Sequence, residues 1–294
     1  MDTKTKPIFL MIGAIFCFAS MDAVAKYLMQ EIGPVQTIWA RYIVQAVLVT
    51  LVILPKINIY GKTKYPKLQF FRSVALMMAT TLFFFSFLRL GLAEATALFN
   101  ISPVLITLGA FLFLKEKIST NVWIAIIIAT IGIIIIAFGN TNKGSIFGLL
   151  FGILSALGFS VFSVSLRWRP ETPKFTTVAI AGLICAIVST VILVETDSSL
   201  ISSSRNQGLF SVHGTLVCVG LILYSLGSRM IPAAELTLLS LTEVIGGIFW
   251  VWLPILGINE VPTNNTIIGG FLIFISIIYY SLIIKNNRRF IALN

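Results

Sequence analysis

Hydrophobic residues in this chain are grouped into ten runs of about 20 residues, each separated from the next by a short polar connector. A helix that crosses a bilayer needs about 20 mainly apolar residues, so every run is long enough to span a membrane. The pattern therefore predicts an all-α integral membrane protein with ten transmembrane helices. The predicted spans are residues 8–29, 35–54, 68–88, 93–114, 121–138, 145–166, 175–194, 209–228, 233–256 and 266–284.

The overall composition supports this prediction. Of the 294 residues, 57% are hydrophobic and only 11% are charged, whereas soluble domains have about one charged residue in four. Ten spans leave no room for a separate soluble domain. The first run exceeds the apolar region of a signal peptide and lacks a small-residue cleavage site, so we expect it to remain as a helix.

Positively charged residues lie mainly in alternate connectors, which predicts the orientation of the chain. Basic connectors tend to face the cytoplasm, so both termini are predicted to be cytoplasmic. The net charge of +10 is therefore interpreted as a topological signal and not as a nucleic-acid surface. The basic residues of these connectors include Lys56, Lys62, Lys64, Lys67, Arg72, Lys115, Lys117, Arg167, Arg169, Lys174 and Arg229.

An internal repeat divides the chain into two halves. The hexapeptide at 93–98, AEATAL, resembles AELTLL at 234–239, and each opens the fourth helix of a five-helix unit. Because five is odd, the units 8–139 and 145–284 would cross the membrane in opposite orientations, with residues 140–144 as their junction. Transporters built from inverted repeats bind substrate between the repeats, near the bilayer midplane.

Ionisable residues within the apolar runs are candidates for function, because a charge in the hydrocarbon region costs about 3 kcal/mol or more. Asp22 and Lys26 are four residues apart and share a helix face, so they either form a structural pair or line a cavity. Arg41 lies near Trp39 and Tyr42, and it either anchors its helix at the interface or binds a carboxylate.

Glu243 is the strongest single candidate. It lies eight residues beyond Glu235, about 12 Å deeper along the predicted ninth helix, and we expect it to bind a proton or a cationic substrate group. Asn100 and Tyr224 are further candidate substrate-binding residues. His213, the lone histidine, is interpreted as an interfacial residue.

No cofactor or metal site is predicted. The three cysteines lie in apolar runs without CxxC or Cys/His spacing, and no glycine-rich loop followed by Lys and Ser/Thr is present for ATP.

Together these residues resemble the EamA-type members of the drug/metabolite transporter superfamily. The resemblance rests on Ala40-Arg41-Tyr42, on 92–97 through Ser102-Pro103 to Lys115-Glu116-Lys117, and on 234–235 and 241–244. The chain departs from the family at Val244, where many members have proline, and at Asn259-Glu260, where a Gly-Glu pair is usual. The resemblance implies ten helices in two inverted repeats, and a cavity lined by the first, third, fourth, sixth, eighth and ninth helices.

The leading functional hypothesis is a secondary transporter of small organic metabolites in the bacterial plasma membrane, working by alternating access with proton or cation coupling. Its partners are then a small-molecule substrate and the lipid bilayer. The alternative is a membrane enzyme acting on a lipid or small molecule, but the clustered carboxylates or His-based site of such enzymes are not evident. Substrate, transport direction and oligomeric state are not specified by the sequence.

Overall fold

The computed structural model describes residues 5–56, 63–90, 92–139, 146–173, 175–195, 203–253 and 263–292. All regular secondary structure within these ranges is helical. The predicted junction at 140–144 and the Asn259-Glu260 pair lie outside the described residues. The helices are α1 Thr5–Ile32, α2 Pro34–Ile53, α3 Pro66–Arg89, α4 Leu92–Phe99, α5 Ser102–Phe113, α6 Thr120–Gly139, α7 Ile146–Trp168, α8 Thr176–Glu195, α9 Ser204–Gly227, α10 Ala233–Ser240, α11 Thr242–Trp252 and α12 Asn264–Ala292.

Eight segments of the described chain are long and apolar enough to cross a membrane, and they coincide with the first eight predicted spans. The predicted ninth span corresponds to two short helices, α10 and α11. The predicted tenth corresponds to α12, whose apolar part covers Asn264–Tyr280. The expectation of an all-helical, multi-pass membrane protein is confirmed at this level.

Local sequence signals account for several helix ends. Gly33 joins α1 to α2 with a φ of 83°, a conformation that glycine adopts without steric cost. Pro34 and Pro66 occupy the first turns of α2 and α3, where the missing N–H would be unsatisfied in any residue. Ser203 caps α9 by accepting a 3.3 Å hydrogen bond from the backbone N–H of Asn206.

The helices of the first five predicted spans pack mainly against those of the second five. Helix α1 packs against α9 and α11, and α7 packs in a corresponding way against α3 and α5. Helices α2 and α8 contact each other, as do α6 and α12. The α6–α12 contact is backbone to backbone, since a Cβ on Gly132 would lie 2.6 Å from the Gly269 carbonyl oxygen.

The outer surface of the bundle is apolar. Large hydrophobic side chains such as Phe16, Leu51, Phe71, Ile127 and Ile187 are more than half exposed. A surface this apolar is typical of contact with lipid. The interior, in contrast, contains most of the polar side chains that interrupt the apolar runs.

Candidate substrate site

Two interrupted helices meet at the centre of the bundle. Helices α4 and α5 are separated at Asn100 and Ile101, and α10 and α11 are separated at Leu241. Pro103 contributes to the first interruption, because it has no N–H to bond the Phe99 carbonyl. The second has no proline. Residues next to a helix interruption have backbone groups and side chains available to a ligand.

Thr237 connects the two interrupted helices. Its hydroxyl donates a 2.6 Å hydrogen bond to the backbone carbonyl of Pro103, and it also contacts the hydroxyl of Thr107. All three residues are buried. The interruptions in the predicted fourth and ninth spans are therefore held close to each other across the two halves of the chain.

A narrow cavity of about 50 Å³ lies beside the interruptions. It is bounded by α1, α3, α7 and α9, by the α4–α5 and α10–α11 regions, and by one residue of α2. The lining residues are Ile15, Phe18, Met21, Asp22, Arg41, Leu76, Ala79, Thr80, Phe83, Phe99, Asn100, Ser102, Pro103, Phe159, Leu221, Tyr224, Ser240 and Glu243.

Five of the six substrate-binding residues proposed from the sequence line this cavity. They are Asp22, Arg41, Asn100, Tyr224 and Glu243, contributed by four helices and one helix interruption. The sixth, Lys26, is buried in α1 but does not line the cavity. The structure therefore brings together residues that are up to 221 positions apart in the sequence, from Asp22 to Glu243.

The charges of the site form one connected group. Asp22 interacts electrostatically with Arg41, and Asp22 also interacts with Glu243. If all three groups are ionised, the two carboxylates outnumber the guanidinium and the cavity carries a net charge of −1. Such a site favours occupancy by a proton or by a cationic group of a substrate, because an uncompensated buried charge is costly.

The position of Glu243 differs from the prediction in one respect. The sequence suggested a continuous helix from Glu235 to Glu243, but the interruption at Leu241 places Glu243 in the first turn of α11. A carboxylate at a helix N-terminus interacts favourably with the helix dipole. Glu243 is 7% exposed, whereas Glu235 is only half-buried and does not line the cavity.

Aromatic rings make up much of the remaining cavity wall. Ring centroids are 5.3 Å apart for Phe83 and Phe99, 5.3 Å for Phe99 and Phe159, and 5.2 Å for Phe159 and Tyr224. Phe18 lies 6.1 Å from Tyr224 on the opposite side. These phenylalanines are not distinguished by the sequence, because a chain with 23 Phe gives no signal that separates cavity-facing from lipid-facing rings.

His213, predicted to lie at the membrane interface, is buried inside the bundle instead, and so is Tyr42, the neighbour of Arg41. Tyr42 is almost completely buried, and His213 is 0% exposed. The ring centroid of His213 lies 6.4 Å from that of Phe84, and the Arg41 guanidinium carbon is 5.9 Å from the same Phe84 ring. The interpretation of His213 as interfacial is therefore wrong, and Arg41 is a buried residue of the cavity wall.

Beyond the cavity, three of the predicted basic connectors are joined by hydrogen bonds. Arg167 at the end of α7 forms a salt bridge with Glu116, which follows α5. Arg167 also donates to the carbonyls of Ser228, at 2.7 Å, and of Ile231. The same Glu116 carboxylate accepts a 3.1 Å hydrogen bond from the backbone N–H of Ala233, at the start of α10.

Two further arginines extend this network. Arg229 donates to the carbonyls of Pro170 and Thr172 at 2.8 and 2.9 Å. Arg72 is completely buried and donates to the hydroxyls of Ser165 and Thr172, at 3.1 and 2.6 Å. We call Arg72, Glu116, Arg167 and Arg229 the connector clamp. Burial lowers the pKa of Arg229 to about 10, with Glu171 opposing the shift, so Arg229 remains charged at neutral pH.

The connector clamp corrects the view that these arginines act only as orientation signals. Arg72, Arg167 and Arg229 tie the connectors to one another and to α3. Between clamp and cavity, the Tyr224 and Ser163 hydroxyls share a 2.6 Å hydrogen bond. Tyr224 lies four positions before Ser228, and Ser163 lies four positions before Arg167. About one helical turn therefore separates the cavity from the connector clamp.

Comparisons with known proteins point to transport. The sequence profile of the EamA-like transporter family matches residues 5–138. The pseudopaline exporter CntI of two Pseudomonas aeruginosa strains is 24% identical over 285 residues, covering 96% of this chain and 98% of the exporter. An uncharacterized transporter of Helicobacter pylori is 28% identical over 158 residues, covering 52% of each chain. A solved structure titled only as the crystal structure of a protein has the same fold, with a TM-score of 0.77 and 16% identity over 96% of this chain and 98% of that one.

Proposed function

We propose that this chain, a membrane transporter of small organic metabolites and not an enzyme, exports its substrate by alternating access through the cavity described above. The family resemblance inferred from the sequence is confirmed over residues 5–138, which match the EamA-like transporter family. Export is proposed as the direction because the relatives that match nearly the full length are named pseudopaline exporters.

The observation that carries the substrate site is the meeting of Asp22, Arg41 and Glu243 at one cavity inside the bundle. Ionisable side chains at membrane depth are costly and are retained where a transported group or a coupling ion needs them. The surrounding rings of Phe83, Phe99 and Phe159 suit an apolar or cationic portion of the substrate. We therefore propose a small metabolite with at least one cationic group.

Coupling is proposed to reside on Asp22 and Glu243. The two carboxylates interact with one another, and Arg41 compensates only one negative charge. A proton and a cationic substrate group would compete for the remaining charge. Competition of this kind exchanges a proton moving inward for a substrate moving outward, so the substrate gradient is coupled to the proton gradient.

Alternating access is supported by the way the helices pack. The packing partners of α1 correspond to those of α7 if the halves 8–139 and 145–284 are equivalent, as inverted repeats require. On this proposal α10 with α11 forms the ninth span and α12 forms the tenth. Both termini are cytoplasmic in the bacterial plasma membrane, and the connector clamp closes the cytoplasmic end of the transport path.

A transport assay on Glu243→Gln tests the proposal. The amide keeps the size of the side chain and removes its negative charge. Cells that lack the native protein and express either form would be compared for metabolites retained inside and released outside. We expect the wild type to restore release of its substrate, and Glu243→Gln to reach the membrane in equal amount without doing so.

Glu235→Gln is the matched control, since Glu235 lies eight residues away, half-buried and outside the cavity lining. It should export normally. Normal, pH-dependent release by Glu243→Gln would contradict the assignment of the coupling site. Equal metabolite levels with and without the wild-type protein would argue against export itself.

A further inference from the structure

Four of the eleven buried side-chain polar atoms that have no hydrogen-bond partner in the described part of the chain lie together behind the cavity. They are the Nε of Arg41, both ring nitrogens of His213 and the hydroxyl of Tyr42, which lies near Thr80 and Cys185 but forms no hydrogen bond of normal geometry with either. All three side chains are at least 96% buried. Each unsatisfied buried polar atom costs about 1–3 kcal/mol, so several together are unusual unless a bound group satisfies them.

Arg41 and His213 both lie against one ring, that of Phe84 in α3, and Arg41 also lies over the Tyr42 ring. The Arg41 guanidinium carbon lies 5.9 Å from the Phe84 ring centroid and 5.5 Å from that of Tyr42. The His213 ring centroid is 6.4 Å from that of Phe84. Helix α9 approaches α2 closely beside His213, because a Cβ on Gly214 would lie 3.2 Å from the Arg41 carbonyl oxygen.

The chemistry of these atoms selects an anion. The Nε of Arg41 and the Tyr42 hydroxyl are donors, and a neutral imidazole always carries one N–H. A carboxylate or phosphate oxygen accepts from all three, and a guanidinium supplies the charge. Asp22 also lines the cavity, but among the described residues it forms no contact ion pair with Arg41. The Arg41 guanidinium is therefore available to bind an anion.

We infer that Arg41, Tyr42 and His213 form an oxyanion subsite that opens into the transport cavity through Arg41 and binds a carboxylate or phosphoryl group of the substrate. The inference rests on the cavity being the substrate site, as proposed above. It extends that proposal because it places an anionic group of the substrate opposite the carboxylates Asp22 and Glu243. The charged group that interacts with His213 is Arg41 from α2, and Arg41 in turn interacts with Asp22 from α1.

The single histidine permits a direct test. Nitrogen-15 histidine labelling of the whole protein gives the signals of one imidazole, which can be followed by solid-state NMR in liposomes. Acetate and inorganic phosphate would be added separately at constant ionic strength, up to about 50 mM, because fragments of this size bind weakly. Methylammonium chloride serves as the cationic control.

We expect acetate or phosphate, but not methylammonium, to shift the His213 signals with saturation. Arg41→Gln should abolish the shift. Tyr42→Phe removes one hydrogen-bond donor and should weaken anion binding about tenfold. Tyr65→Phe, a tyrosine near the connector clamp whose ring lies under Arg169, should have no effect. A response to acetate identifies a carboxylate subsite, and a response to phosphate alone identifies a phosphoryl subsite.

His213 signals that ignore both anions, or that respond equally in Arg41→Gln, overturn the inference. The proposed export function is judged separately, since Glu243→Gln should lose export while its His213 signals still respond to the anion. If Glu243→Gln loses export but its His213 signals still respond to the anion, the coupling site has failed and the oxyanion subsite is intact.

Discussion

Removing the charge of Glu116 should open the end of the protein that the connector clamp closes. Glu116 accepts from Arg167 with one carboxylate oxygen and from the Ala233 N–H with the other. Glu116→Gln retains the shape of the side chain but has one oxygen and one NH2, so one of these charge-assisted bonds becomes neutral and the other is lost. Hydrogen bonds to charged groups contribute about 1.5–3 kcal/mol and neutral ones about 0.5–1.5. The bond that becomes neutral therefore costs about 1 kcal/mol, and the bond that is lost costs somewhat more.

Solvent reduces this value. The Arg167 side chain is 9% exposed and that of Glu116 is 27% exposed, so the pair is neither fully buried nor a surface pair. We expect a total of about 1–2 kcal/mol, which corresponds to a fall of about 5- to 30-fold in the ratio of closed to open clamp. The clamp joins connectors of both halves, so under the proposed alternating access its loss should shift the equilibrium between conformations as well as lower folding stability.

Electron–electron double resonance on the protein in nanodiscs would measure the effect. Spin labels on cysteines introduced at Ser119 and Met230, both exposed, report the separation of the two connectors. The native Cys17, Cys185 and Cys218 are replaced first. Glu116→Gln should add a longer-distance population, whereas Glu31→Gln should not, because Glu31 is exposed near the end of α1 and has no bond to the clamp among the described residues. Identical distance distributions in the two variants and the parent protein would refute the claim that the clamp holds these connectors together.

Three other substitutions test separate features of the fold. Gly132→Leu should reduce thermal stability strongly or prevent membrane accumulation, because no side chain fits against the Gly269 carbonyl; Gly270→Leu, where a Cβ meets nothing within 4 Å, is the control. Lys115→Gly should leave the protein as stable or up to about 1 kcal/mol more stable by thermal unfolding, because Lys115 has a φ of 55°. Tyr224→Phe should retain the fold and weaken the closure between cavity and clamp, detected as faster labelling of a cysteine placed at Ile15, since the bond to Ser163 is lost.

The helices were predictable because membrane insertion imposes a simple length rule. The first eight runs correspond to the eight candidate spans, with the fourth composed of two helices. Its interruption had a signal in Pro103. The interruption at Leu241 had none, since residues 233–252 contain no proline, and α10–α11 therefore looked like one uninterrupted helix.

The same energetic rule explains why the charged cavity residues could be nominated from the sequence. A lone Asp22, Arg41 or Glu243 in an apolar run is expensive enough to require a reason. Burying Lys26 in the membrane carries the same cost, but Lys26 lies one helical turn from Asp22 on the same helix face. Sequence spacing alone does not show which of the two reaches the cavity. The rings of Phe83 and Phe159 carry no such cost, so only the packing of the helices assigns them to the wall.

The arginines of the connector clamp illustrate a different limit. A basic residue beside a span satisfies the positive-inside rule whether it points into water or bonds a neighbouring connector, so charge pattern alone cannot separate the two roles. Arg72, which is completely buried, and Arg169, which stacks on exposed Trp168 and on Tyr65, look equivalent in the sequence. Their difference depends on partners about 100 positions away, Ser165 and Thr172 for Arg72. The predicted orientation thus depends on the number of basic residues, whereas the proposed closure of the transport path depends on which of them bond carbonyl and carboxylate partners across the two halves.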